Sequence, residues 1–198
     1  MEFSIAATLQ RKGRAPLTPP MPFTPRVPAL LATGLAALCL VAGAAHADEA
    51  TELRALLTRG EPAAALQLAE RALAARPRDV SLRFLQGVAL MDLKRDADAL
   101  AHFTAMAQDY PELPDPYNNI ALLQARAGRL EAARQALESA LRNDPGHRIA
   151  RANLGEVHLM LAAQAWELAT ATGPVDVPLL RRLEAVRALL AAAPSAAR

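Results

Sequence analysis

Cysteine is almost absent from this sequence. Of the 198 residues only Cys39 is a cysteine, and it lies in an apolar stretch near the N-terminus that we expect to be removed as a leader. The mature chain would then contain no disulfide and no thiolate nucleophile. Its stability is expected to come from helix packing alone.

Aromatic residues are also scarce. They make up 4% of a sequence that is 53% hydrophobic, so alanine and leucine must fill the core. Alanine has the highest helix propensity and lets neighbouring helix backbones approach closely. This composition favours an all-α fold of closely spaced helices.

The sequence lacks a basic surface once its first 47 residues are set aside. Those residues contain Arg11, Lys12, Arg14 and Arg26 against Glu2, a net charge of +3, so the rest of the +2 chain carries −1. A nucleic-acid footprint is therefore absent. We interpret the remaining arginines as solvated helix faces with acidic neighbours.

Residues for catalysis or metal binding are few as well. His46 belongs to the expected leader, His158 is predicted to pack on a helix, and His102 and His147 are predicted to be ordinary surface residues. No histidine or cysteine pair has metal-ligand spacing, and no glycine-rich phosphate loop or serine, histidine and carboxylate set is present. We therefore predict no enzyme activity and no cofactor.

The N-terminal region resembles a Sec-type signal peptide. An uncharged apolar run occupies residues 29–43, follows Arg26, and is followed by small residues up to Ala47. The run of about 15 residues is short for a membrane span, and we predict cleavage after Ala47. The leader, residues 1–47, is long, and Met21 is a possible true start. The mature protein is then expected in the periplasm, without a membrane span.

Two other export signals are disfavoured. A lipoprotein signal needs a small residue before its cysteine, but Leu38 precedes Cys39. A twin-arginine signal needs paired arginines near the apolar run, and Arg11 and Arg14 are neither paired nor close to it.

An internal repeat is the strongest signal in the sequence. Prolines recur every 34 residues, at Pro77, Pro111 and Pro145. Four other series of residues have the same spacing: Leu53, Gly87, Ala121 and Gly155; Ala65, Ala99 and Ala133; Ala72, Met106 and Ala140; Ala69, Phe103 and Leu137. This period predicts stacked helix pairs. Small residues in the series that contains Gly87 should let the backbones of paired helices approach closely. The prolines should end the second helix of each pair.

Turn and cap residues agree with this division. Gly60, Lys94 and Gly128 occupy the same turn within each pair. We predict side-chain N-caps at Asp79, at Asp115 with Pro116 as the first helical residue, at Asp96, and at Asp176.

These features together resemble the tetratricopeptide repeat (TPR) family. Gly87, Ala99, Phe103, Met106 and Pro111 match its pattern, and a fourth unit begins at 153–155. The resemblance implies a TPR-type superhelix of stacked antiparallel helix pairs. We expect three repeats over 48–145, a degenerate fourth repeat and a C-terminal capping helix over 146–192, and a disordered tail over 193–198.

The fourth unit departs from the family because its inner turn is missing. Between Gly155 and Gly173 the sequence has no glycine or proline, which predicts one long helix from about Arg148 to Thr170. A final helix from Pro178 should cover the open end of the stack through an apolar stripe, consisting of Leu179, Leu183, Val186 and Leu190.

The resemblance also implies a peptide-binding groove lined by the first helix of each pair. The groove residues would be Arg54 and Leu57; Phe84, Val88 and Met91; Asn118, Leu122 and Ala125; and Ala152, Asn153, Glu156 and Leu159. Some TPR domains hold a C-terminal carboxylate with lysines, arginines and asparagines, but no lysine lines this groove. For Asn118, Asn119 and Asn153 a structural role is favoured over contact with a ligand, because asparagine is common just ahead of the small position in the repeat. The terminal helix could itself cover part of the apolar surface.

We therefore expect a non-catalytic protein–protein interaction scaffold of the bacterial cell envelope, with Phe84 and Met91 as anchors for a partner polypeptide. The alternative is a chaperone-like assembly factor that holds exported proteins, for example in cytochrome c maturation or outer-membrane assembly.

Overall fold

The computed structural model describes residues 49–192, and every regular element in that range is an α-helix. The helices are α1 (49–58), α2 (Pro62–Ala75), α3 (Val80–Asp92), α4 (Asp96–Asp109), α5 (Pro114–Arg126), α6 (Leu130–Asn143), α7 (Arg148–Thr172) and α8 (Val177–Ala192). The predicted all-α fold of stacked helix pairs is confirmed. The leader, its cleavage site and the tail over 193–198 lie outside the described residues, and the predicted repeat limits stay predictions.

Each helix packs mainly against its neighbours in the chain. From α2 to α8 every helix contacts the next, and α5 also contacts α7. The apolar core follows this order: one cluster is centred on Leu82 and Phe103, the next on Leu137 and Val157, and the last joins α7 to α8. Such nearest-neighbour packing is typical of a repeat stack.

The turn inside each pair has a left-handed residue at the same repeat position. Gly60 has φ +74°, Lys94 has φ +60° and Gly128 has φ +73°. Glycine adopts this conformation without strain, whereas Lys94 accepts a steric cost. The predicted equivalence of the three turns is confirmed.

Two of the four predicted caps are confirmed. The Asp79 side chain accepts a hydrogen bond from the Leu82 amide, and Asp176 accepts one from the Leu179 amide. The other two predictions are wrong, because α4 starts at Asp96 itself, and α5 begins at Pro114 with Asp115 inside its first turn. In both helices the acidic side chain still stabilises the positive end of the helix dipole.

The predicted role of the repeat prolines is confirmed. α2, α4 and α6 end at Ala75, Asp109 and Asn143, and each proline follows the C-cap residue. Proline cannot donate the backbone hydrogen bond that would continue the helix.

The small residue of the repeat has a packing reason in the second pair. A Cβ atom at Gly87 would lie 2.5 Å from Cζ of Phe103, whose side chain is fully buried. At Gly155 the same prediction is wrong, because a Cβ atom added there would have nothing within 4 Å. The fourth unit has no second helix folded back against the start of α7. Gly155 therefore has no helix packed against it that would require a small residue.

The C-terminal part matches the predicted long helix and covering helix. α7 runs for 25 residues without a break, and α8 packs Leu183 and Val186 against Ala163 of α7. Leu159, Trp166 and Leu190 surround this contact. None of the helices in the described range combines the length and hydropathy needed to cross a bilayer.

Candidate peptide-binding face

The first helices of the pairs form one surface, which we call the inner face: α1, α3, α5 and the first half of α7. Phe84, Val88, Leu122 and Glu156 of the predicted groove are half-buried on these helices, and Arg54 and Ala152 are exposed. A half-buried apolar side chain is anchored in the core and still presents area to solvent. All six residues therefore present surface to solvent.

A pocket of about 280 Å³ opens between α1, α3 and α5, and we call it the Phe84 pocket. Its lining is Arg54, Val80, Ser81, Phe84, Leu85, Met106, Leu113, Asp115 and Pro116. The walls are apolar and the polar groups belong to Arg54, Ser81 and Asp115. The Phe84 ring is fixed by the buried Phe103 ring, with centroids 5.7 Å apart and planes tilted by 59°.

A second, wider depression of about 710 Å³ lies toward the other ends of α1 and α3. It is lined by Leu57, Thr58, Gly60, Pro62, Val88, Asp92 and Lys94. Leu57 and Val88 were predicted groove residues, and here they share one concavity. Both cavities are lined by α1 and α3, and the Phe84 pocket also reaches the start of α5.

Three predicted groove residues lie in the core instead of on the surface. Met91 is 7% exposed, Asn118 is 7% exposed and Asn153 is 3% exposed. The Nδ2 group of Asn153 donates a 2.8 Å hydrogen bond to Oδ1 of Asn118, linking α7 to α5. Asn119 likewise donates to the backbone oxygen of Asp115. The contacts favour the structural explanation of the asparagines, and a direct contact of these residues with a guest stays a prediction.

Replacing Asn153 by leucine is expected to lower the free energy of unfolding by about 1–3 kcal/mol, because Oδ1 of Asn118 would be left buried without a donor. The double variant Asn118→Leu/Asn153→Leu should regain part of this loss, since no orphaned polar atom remains. Urea unfolding of both single variants and the double variant gives the coupling energy. Additive losses would contradict this account of the pair.

At the fourth unit, one residue of the predicted groove lies next to the contact between α7 and α8. Leu159 packs in the cluster that joins α7 to α8. The sequence left open whether the terminal helix covers apolar groove surface, and Leu159 borders the contact between α7 and α8. None of the residues that line the Phe84 pocket belongs to α8.

Sequence reasoning missed one position of the inner face. Ser81, Asp115 and Ile149 occupy the same place in successive repeats, and Ser81 and Asp115 line the Phe84 pocket. Ile149 is 62% exposed. The 34-residue step from Ser81 is the signal that identifies all three.

His147, predicted to be an ordinary surface residue, is instead a cap that bridges two repeats. Its Nδ1 accepts a hydrogen bond from the Ala150 amide, and its Nε2 lies 3.0 Å from Oδ1 of Asp115. The side chain is 11% exposed. His147 therefore starts α7 and ties it to the first turn of α5.

The two other histidines also differ from their predictions. His158, expected to pack, is exposed, because the missing turn leaves no helix over that side of α7. His102, expected on the surface, is half-buried with Nε2 2.7 Å from the Arg83 carbonyl oxygen and its ring against Phe103. Burial lowers the pKa of His102 from its ordinary value; the hydrogen bond to Arg83 opposes this and the Arg83 charge adds to it.

We expect His102 to make the protein less stable as the pH falls. Because its pKa is lower in the folded state, the unfolded chain binds the proton first, so stability is fully present above about pH 6.5 and declines below it. His102→Gln keeps a side-chain donor but does not titrate. From pH 7 to pH 5 the free energy of unfolding of the wild type should therefore fall relative to that of the variant. A difference that does not change with pH would contradict this assignment.

Among residues 49–192, no three His, Cys, Asp or Glu side chains come together in a way that could hold a metal ion. The chemistry that the described inner face offers is apolar contact at Phe84 and Val88, with charge at Arg54 and Asp115.

The fold and this surface define an α-helical repeat protein built from helix pairs. A family model described as tetratricopeptide repeat matches residues 50–114 and 118–171, which is more than half of the chain. The chain belongs to the tetratricopeptide repeat family. Domains of this family mediate protein–protein interactions and are generally non-catalytic scaffolds.

Several solved structures share the fold. The first TPR domain of human RPAP3 matches with a TM-score of 0.55 at 18% identity, covering 59% of this chain and 92% of that one. The first TPR of Spaghetti (RPAP3), bound to the HSP90 peptide SRMEEVD, matches with a TM-score of 0.53 at 18% identity, covering 58% and 90%. PilF of Pseudomonas aeruginosa matches with a TM-score of 0.51 at 20% identity, covering 75% and 70%. At these identities the likeness shows the fold alone. Comparison with curated proteins gives no significant match.

Proposed function

We propose that this protein is an exported, non-catalytic scaffold of the bacterial cell envelope that binds a partner polypeptide on its inner face. The observation that carries the proposal is the Phe84 pocket, an apolar cavity of about 280 Å³ that no described part of the chain fills. Apolar pockets with a few polar groups at the rim are where binding energy concentrates. A TPR of RPAP3, similar in fold, has a peptide bound.

The envelope location is supported by the sequence of residues 1–47, with an apolar run and small residues before Ala47. Expression of the full-length chain with a C-terminal tag in a Gram-negative host tests it. We expect a periplasmic product whose N-terminus is Asp48. A product that stays in the cytoplasm and keeps its leader would contradict the proposed location, without affecting the proposed binding face.

Filling the Phe84 pocket tests the binding face. Ser81 is exposed at the second residue of α3 and lines the pocket, so Ser81→Trp should block the pocket without disturbing the core. Ala101→Trp is the matched control, because Ala101 is also exposed but lies on the second helix of the same pair. Capture of envelope proteins should be lost with Ser81→Trp and kept with Ala101→Trp. Capture that survives Ser81→Trp would remove this pocket from the function.

A chaperone-like holder is the second candidate, supported by the extended run of half-buried apolar residues from Leu57 to Leu122 on the inner face. The two candidates differ in selectivity. A docking scaffold should enrich one envelope protein, whereas a holder should enrich many and suppress the aggregation of a model unfolded substrate. Enrichment of a single chain without such suppression would exclude the holder.

A further inference from the structure

The Phe84 pocket has walls and a rim of different chemistry, and both bear on the kind of guest that fits. Val80, Phe84, Leu85, Met106 and Leu113 supply an apolar interior. Leu85 and Met106 belong to the buried core, so the floor of the pocket is rigidly supported. A volume of about 280 Å³ suits one large aliphatic or aromatic side chain and not a folded domain.

The rim carries one charge of each sign, on different helices. Arg54 lies on α1 and is exposed, and its guanidinium makes no ion pair with any residue in the described range. Asp115 lies on α5, where the His147 imidazole contacts one of its carboxylate oxygens and 62% of its side chain stays exposed. Since α3 lies between α1 and α5 in the stack, the two charges flank the pocket mouth.

We infer that the guest is a peptide segment in which a large apolar residue stands between an acidic residue and a basic one. This inference rests on the proposed function and adds the chemistry of the partner. The apolar side chain enters the Phe84 pocket, the carboxylate pairs with Arg54, and the cation lies beside Asp115. The opposite charges also place the acidic residue of the segment toward α1 and the basic residue toward α5.

The energetic roles of the two features differ. The apolar anchor is enclosed and should dominate affinity, so replacing it in the guest by alanine should weaken binding roughly tenfold or more. The rim pairs are solvent-exposed, and each should change affinity by no more than about fivefold. Their main effect is selection among guests with the same anchor.

A charge exchange tests the inference with a defined probe. Fluorescent peptides of sequence Gly-Ser-Glu-Leu-Lys-Ser-Gly, and the same peptide with lysine in place of glutamate, are titrated against the full-length chain by fluorescence polarisation. Wild type should prefer the glutamate peptide by about fivefold, and Arg54→Glu should reverse the preference. Arg71→Glu, an exposed arginine on α2, is the matched control and should leave the preference unchanged.

The outcomes separate this inference from the proposed function. Binding of both peptides with equal affinity, or a preference that Arg54→Glu does not reverse, overturns the inference and leaves the inner face as the binding surface. Equal binding of a peptide with alanine in place of leucine overturns the anchor. If no peptide binds, the inference also fails. The proposed function is then tested separately, by comparing the capture of envelope proteins by wild type and by Ser81→Trp.

Discussion

Replacing Phe103 by alanine is expected to lower the free energy of unfolding by about 3–5 kcal/mol, the range for deleting a buried aromatic side chain. Phe103 is fully buried, and its ring contacts the position of Gly87 and packs beside Phe84 and His102. Its loss would leave a cavity between α3 and α4. Urea unfolding followed by far-ultraviolet circular dichroism measures the change. A loss below about 1 kcal/mol would mean that Phe103 does not hold this pair together.

Two glycines at the same repeat position provide the control for this packing. At Gly87 an added Cβ lies 2.5 Å from the Phe103 ring, so Gly87→Ala should overpack the site, with a cost of about 1–3 kcal/mol before the gain in helix propensity. At Gly155 nothing lies within 4 Å, so Gly155→Ala should stabilise by up to about 1 kcal/mol.

The same substitution is therefore expected to have opposite effects in the two repeats. In the Phe103→Ala background the cost of Gly87→Ala should vanish, because the clashing ring is gone. Equal effects at Gly87 and Gly155 would contradict the proposed nesting of α3 against α4.

Replacing Leu183 by aspartate is expected to release α8 from α7. Leu183 is 4% exposed in the cluster with Ala163 and Val186, and its burial contributes about 1.5–3 kcal/mol. An aspartate there would place a charged carboxylate in an apolar contact, and the exposed Arg187–Glu167 ion pair is too weak to offset the loss. Trp166, the sole tryptophan of the sequence, borders this cluster, so its fluorescence should shift to longer wavelength.

Leu189→Asp is the matched control on the same helix. Leu189 is 58% exposed, so its substitution should leave both the docking of α8 and the Trp166 emission unchanged. The unfolding of the first three pairs should be similar in both variants, because each repeat contacts mainly its neighbours. An unchanged emission spectrum for Leu183→Asp would show that α8 does not depend on this contact.

Features that repeat in the sequence were predictable. The prolines, the left-handed turns and the small residue at Gly87 each follow from local backbone or packing demands that recur every 34 residues. The missing turn after Gly155 was equally visible and correctly predicted the long α7 helix. These signals are strong because the same constraint selects a similar residue at the same position in several repeats.

Features that depend on pairs of distant residues were not predictable in the same way. The Asn118–Asn153 hydrogen bond and the His147–Asp115 contact each join residues of adjacent repeats, and no periodicity marks them. The repeat register predicted which helices carry the inner face. It did not predict that Met91 is buried. The exposure of a side chain on the inner face depends on the distance between adjacent first helices. That distance is set by side-chain volumes across the whole stack.

The most direct test of the inner face as the binding surface is site-specific photo-crosslinking in living cells. A photoreactive amino acid at Ser81, beside the Phe84 pocket, is compared with one at Ala101 on the opposite helix of the same pair. We predict a discrete crosslinked product from position 81 and none from position 101. Products of equal yield at both positions, or a product at 101 alone, would contradict the account.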